Sequence, residues 1–92
     1  MMSQRDAGPA IFETIDGRDM QPPEPFEKTI EALERLPRGH ELVLLAPCEP
    51  RPLFRALRLN GFDYRCAFVR DGWFEVRMWH RTDNDAASED LE

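Results

Sequence analysis

Only two cysteines, Cys48 and Cys66, occur in the 92 residues, too few for a disulfide framework or for a zinc site built from cysteine alone. His40 and His80 have no third ligand near them in sequence, so neither a metal site nor a cofactor is expected. No apolar run approaches the roughly 20 residues that span a bilayer. The opening Met1-Met2-Ser3-Gln4-Arg5-Asp6 has no apolar stretch behind its charge, so no secretory signal is expected and a reducing cytoplasm is the simplest compartment. Also missing are a glycine-rich phosphate loop, a nucleophile with an evident His and acid partner, and a convergent pair of carboxylates. The reading is of a non-catalytic protein.

What is present is enough for one small packed domain. Apolar residues make up 41% of the chain, with six Phe, two Trp and one Tyr among them. The net charge of −6 is unevenly placed. Residues 82–92 contain Asp83, Asp85, Glu89, Asp90 and Glu92 and no Lys or Arg, which leaves −1 for residues 1–81. That composition predicts a solubilising, disordered acidic tail. The near-neutral remainder gives nucleic-acid binding little support.

The arm 1–9 has no apolar period, whereas Ala10-Ile11-Phe12-Glu13-Thr14-Ile15 reads as a short strand and Asp16-Gly17-Arg18-Asp19 as a turn. A helix is predicted to start within Pro23 to Pro25, where the missing proline N–H costs nothing, and to end before Pro37 and Gly39. Its apolar stripe is Phe26, Ile30 and Leu33, flanked by Thr29 and Leu36, with Glu24, Glu27, Glu31 and Glu34 on the other side. Glu41 to Ala46 is apolar on both side-chain faces, as a central strand would be, and follows a turn holding His40. Pro47 to Pro52 lead into a second helix with Leu53, Ala56, Leu57 and Asn60 on one face and an Asn60-Gly61 stop. Phe62, Tyr64, Cys66 and Phe68 then alternate inward, Arg70-Asp71-Gly72 turns, and Trp73 to Trp79 resume with Phe74, Val76 and Met78 inward. Order is expected to end after His80.

The pattern β-α-β-α-β-β predicts a two-layer α/β sandwich over residues 10–81. A strand–helix–strand unit makes a right-handed parallel crossover and the last two strands pair antiparallel, giving a mixed four-stranded sheet with both helices on one face. So small a sandwich leaves little room for a deep active site.

Two blocks sharpen this. Ile15-Asp16-Gly17-Arg18 followed by Pro22-Pro23-Glu24-Pro25 resembles the Asp-x-x-Gly-Leu-x-Cys-Pro-x-Pro block of the TusA/SirA sulfur carriers. The first block, together with Leu44-Leu45 through Glu49-Pro50-Arg51-Pro52-Leu53 and the Gly61-Phe62 step, is more similar to a bacterial relative, domain-of-unknown-function family 2249. The resemblance implies a TusA-like fold over about residues 11–80. It departs from the carriers at Pro22, which stands where their cysteine would be. It departs from family 2249 at Cys48, where a histidine is common.

Pro22 to Pro25 carry two readings, a rigid helix start or a rigid ligand-facing loop. Cys48 precedes a helix start, with Arg51 three residues on, which are conditions that lower a thiol pKa. It is the one weak catalytic candidate, as a displaced persulfide-accepting or redox thiol, set against an ordinary loop cysteine. Cys66 reads as core. Carboxyl ends of parallel strands share one edge, so a ligand edge is expected from Gln21, Pro22, Pro23 and Glu24 with Cys48, Glu49, Pro50 and Arg51; a small anion could sit on Arg51. Arg51, Arg55 and Arg58 share a helix side, either as a solvated face or as an RNA-binding stripe. Trp73 and Trp79, with Ala67 and Val69, fall on the sheet face opposite the helices, as a surface for a protein partner or a homodimer.

Overall fold

The computed structural model describes residues 10–70 and 72–81. The expected arm over 1–9, Asp71 of the hairpin turn and the acidic tail over 82–92 lie outside them. The elements are β1 (Ala10–Asp16), α1 (Glu24–Leu33), β2 (His40–Ala46), α2 (Arg51–Leu59), β3 (Phe62–Val69) and β4 (Trp73–His80). They build one four-stranded sheet in the order β1-β2-β4-β3. β1 and β2 are parallel, and β4 runs antiparallel to both β2 and β3. This is the expected mixed α/β sandwich.

β2 is an inner strand between β1 and β4, and its Leu42, Val43, Leu44 and Ala46 are all buried, with Leu42, Leu44 and Ala46 supplying the middle of the core. Leu42 and Leu44 lie opposite Met78 and Val76, and all four are fully buried against Leu53 and Leu57 of α2 and Ala32 and Leu33 of α1. Each such side chain contributes about 1.5–3 kcal/mol by leaving water. The helix-contacting residues of β2 and β4 all have one parity, so both helices lie on one face. The opposite face carries Thr14, Val43, Leu45 and the outward residues of β3 and β4.

Both helices begin at proline. Pro23 and Pro50 take the N-cap positions, with no side-chain cap, and Pro25 and Pro52 lie in the first turns. α2 ends as expected. The Asn60 side-chain amide donates to the Ala56 carbonyl at 2.8 Å, and Gly61 takes a positive φ of 86° that a side chain would resist. Gly72, at φ 105°, closes the β3–β4 turn by donating its N–H to the Val69 carbonyl at 2.8 Å.

Four expectations need correction. α1 is rotated relative to the predicted stripe. Thr29, Ala32 and Leu33 are its buried residues, continued by Leu36 beyond its end, while Phe26 is 37% exposed. Phe68 is 64% exposed rather than core, because it lies at the hairpin end of an edge strand, where its ring meets that of Phe74 edge-on at 5.1 Å between ring centres. His40 is the first residue of β2 rather than part of a turn. Order also continues past His80. Arg81 donates its N–H to the Gly61 carbonyl at 2.8 Å and its guanidinium to the carbonyls of Arg58 and Phe62, capping α2 with a positive charge.

Candidate functional site

The parallel pairing of β1 and β2 brings the β1–α1 and β2–α2 loops to one edge of the sheet. Gly17 joins them. Its N–H donates to the Leu45 carbonyl at 2.8 Å, and a Cβ there would stand 3.1 Å from that oxygen and 3.2 Å from Cβ of Pro25. The end of β1, the end of β2 and the first turn of α1 thus meet at a residue with no side chain. The β3–β4 turn shares this edge, since Ala46 lies opposite Phe74.

In the first loop Gln21, Pro22, Pro23 and Glu24 are all exposed, and the Pro22–Pro23 peptide bond is cis. A shallow groove of about 510 Å³ is lined by Gln21, Pro23, Glu24, Glu27, Lys28 and Glu31. It runs along the outer side of α1 and takes no residue from the Cys48 loop. Three carboxylates and one amine make it acidic, and the expected two-loop anion pocket is not what this groove forms.

In the second loop Cys48, Glu49 and Arg51 are exposed. The Arg51 guanidinium donates from Nε to the Glu49 carboxylate at 3.2 Å. The arginine of the expected anion site therefore has a carboxylate beside it. Glu49 also faces Cys66, whose thiol is pushed above its ordinary value first by burial and then by that negative charge. Cys66 is half-buried against the core, as read from the sequence.

The arginine side of α2 is partly engaged with its own chain. Arg58 donates to the Tyr64 hydroxyl at 2.8 Å, and the Tyr64 ring stacks on Phe54 at 4.4 Å and 8°. All three arginines are exposed, and while Arg51 is paired with Glu49 and Arg58 with Tyr64, Arg55 has no carboxylate or hydroxyl partner among the described residues.

On the open sheet face the sequence reading missed a centre that the fold assembles. Arg18 grips Asp16 with two parallel bonds of 2.8 and 2.7 Å, and its guanidinium carbon lies 4.4 Å from the centre of the Trp73 ring. The Asp-x-Arg spacing was visible; its reach across β2 to Trp73 depends on strand order. Bidentate bonding to Arg18, with a backbone N–H from the same residue, lowers the Asp16 carboxyl to about 2. Along the same face Arg77 bridges Glu41 at 3.3 Å and Glu75 at 3.5 Å. Trp79 lies beyond, its indole N–H enclosed and without an acceptor among the described residues. Both predicted tryptophans are thus on the face that neither helix covers.

Among the described residues no three His, Cys, Asp or Glu side chains gather as a metal site, and no helix is long and apolar enough to cross a membrane. Residues 14–80 match the model of a family described as an uncharacterized conserved protein, DUF2249. No curated protein and no solved structure matches the chain.

Proposed function

The chain belongs to the DUF2249 family, and from that membership and the geometry above we propose that it is a non-catalytic, TusA-like binding module of the cytoplasm that engages a protein partner through its open sheet face. One observation carries the reading: both helices lie on the same side, leaving Trp73 and Trp79 on the other within a row of paired charges. Tryptophan and arginine are the side chains that most often dominate binding energy at protein interfaces, and charged pairs around them set the register of a partner. A protein partner is favoured over a small anion because the groove by Gln21 and Glu24 is acidic and Arg51 is already paired with Glu49.

A photoreactive residue tests this. Placed in cells at Thr14, which is exposed on the open face, it yields a discrete adduct heavier than the monomer that is lost on Trp73→Ala. Adducts formed only from a probe at Arg55 on α2, or from neither position, overturn the proposal.

A second reading is supported by the exposure of Cys48 on the edge shared with the Pro22 loop. Cys48 would then act as a displaced carrier thiol. Incubation with a cysteine desulfurase and cysteine would add one sulfur atom to the intact mass, and Cys48→Ser would abolish it. No adduct, or one that survives the substitution, removes this reading.

A further inference from the structure

We infer that β3 pairs with β3 of a second copy of this chain, antiparallel about Tyr64, to make a continuous eight-stranded sheet. Two strands end the sheet, β1 and β3. β1 is protected as an edge. Its register shifts between Ile11 and Glu13, and Arg35 reaches over it to Glu13 and the Phe12 ring. β3 has neither a bulge nor a proline: its eight residues pair with β4 without interruption, and the Arg81 guanidinium touches it at its first residues, Phe62 and Asp63.

The ladder shows which backbone groups β3 leaves outward. Arg81 donates to the Gly61 carbonyl, so Gly61 and the odd-numbered residues after it form the hydrogen-bonded pairs with β4. Phe62, Tyr64, Cys66 and Phe68 therefore direct their N–H and C=O groups to the edge away from β4, where the Phe62 carbonyl already accepts from the Arg81 guanidinium at 3.1 Å and the groups of Tyr64, Cys66 and Phe68 remain for a second strand. A second strand can use those groups only in registers that place even-numbered residues opposite even-numbered residues.

Charge selects among these registers. Arg65 has no carboxylate partner in its own chain among the described residues. It lies opposite Arg77, which is already shared by Glu41 and Glu75. Asp63 is two residues away on the same face, in a long 3.7 Å contact with Arg81. Pairing about Tyr64 sets Asp63 opposite Arg65 of the second copy, twice. Both are non-hydrogen-bonded pairs, where side chains approach most closely, with Cα atoms about 4.5 Å apart. Pairing about Asp63 or about Arg65 opposes like charges, and pairing about Cys66 sets Arg65 against Ala67. On the helix side the Tyr64 register puts Phe62 against Cys66, an apolar match. An isologous contact of this kind closes at two copies.

Sedimentation of the full chain over a range of concentrations tests the register. The wild type dimerises reversibly. Asp63→Arg or Arg65→Asp alone turns both attractive pairs repulsive and weakens association about tenfold or more. The combined Asp63→Arg/Arg65→Asp variant restores it. Hydrogen exchange on the unaltered chain gives an independent reading, since the amides of Phe62, Tyr64 and Cys66 slow as concentration rises. A monomer at every concentration, a dimer indifferent to the single substitutions, a double variant that stays weak, or edge amides unchanged by concentration would each overturn the inference.

Discussion

Arg18 and Trp73 belong to segments separated in the sheet by all of β2, yet the guanidinium of one lies 4.4 Å from the ring centre of the other. Asp16 fixes that guanidinium from beneath, and the cost of protonating it shows as a carboxyl lowered from 3.8 to about 2. A carboxyl that titrates lower when folded contributes stability above its unfolded value and loses it as pH falls through the folded one. Carbon-detected titration of Asp16 should give a midpoint near 2 in the wild type and one moved toward 3.8 in Arg18→Gln. Acid unfolding of Asp16→Asn should correspondingly be flatter between those two values. A midpoint unmoved by Arg18→Gln would assign the shift to another cause.

Thr29 is fully buried on α1, and its hydroxyl has no hydrogen-bond partner among the described residues. A hydroxyl taken out of water without compensation costs free energy, and valine keeps the branched shape without it. Thr29→Val should stabilise the domain by about 1 kcal/mol, read as a rise of roughly 4–8 °C in Tm for a domain of this size. A fall in Tm would mean that an ordered partner satisfies the hydroxyl in solution.

At Gly17 the added methyl of alanine meets a strand carbonyl and a proline ring, neither of which can rotate away. Gly17→Ala should destabilise by about 1–3 kcal/mol in urea unfolding. The penalty is one of space, since Gly17 does not have a positive φ. Serine should therefore cost at least as much as alanine.

The two thiols should separate cleanly under alkylation. Cys48 is exposed, whereas Cys66 is half-buried with its thiol pushed up by burial and by Glu49. Brief iodoacetamide treatment at neutral pH should add one group by intact mass. Cys48→Ser should remove that addition, and Glu49→Gln should speed the slow reaction at Cys66. Equal labelling of both cysteines in the native protein would contradict the placement of Cys66.

The order of elements was legible because each rests on local chemistry: proline at both helix starts, Asn60-Gly61 at the end of α2, alternation along β3 and β4. Alternation also separated the faces of the sheet, so Trp73 and Trp79 were correctly placed away from the helices. What alternation cannot say is how far a covering helix extends. Phe68 has the parity of the core and still reaches solvent, because α2 lies beside the other end of β3. In α1 the bulk of Phe26 and Ile30 drew the predicted stripe to one side, although the true inner face is built on smaller Thr29 and Ala32. Tight approach to the sheet favours small residues there. The candidate edge was legible as two loops brought together by parallel strands. The pairing of Glu49 with Arg51 and the reach of Arg18 depend on rotamers and strand order, which motif spacing does not encode.

The parallel register that gathers the two loops at one edge also decides where the polypeptide enters and leaves. Ala10 lies beside His40, the His80 imidazole donates from Nε2 to the Leu36 carbonyl at 2.7 Å, and Arg81 is tied to Gly61. All of these are at the end of the sheet remote from Cys48, Pro22 and Trp73. Entry and exit at one end make the domain a plug-in cassette: cargo spliced before residue 10 or after residue 81 would hang from its base and leave the opposite rim unobstructed.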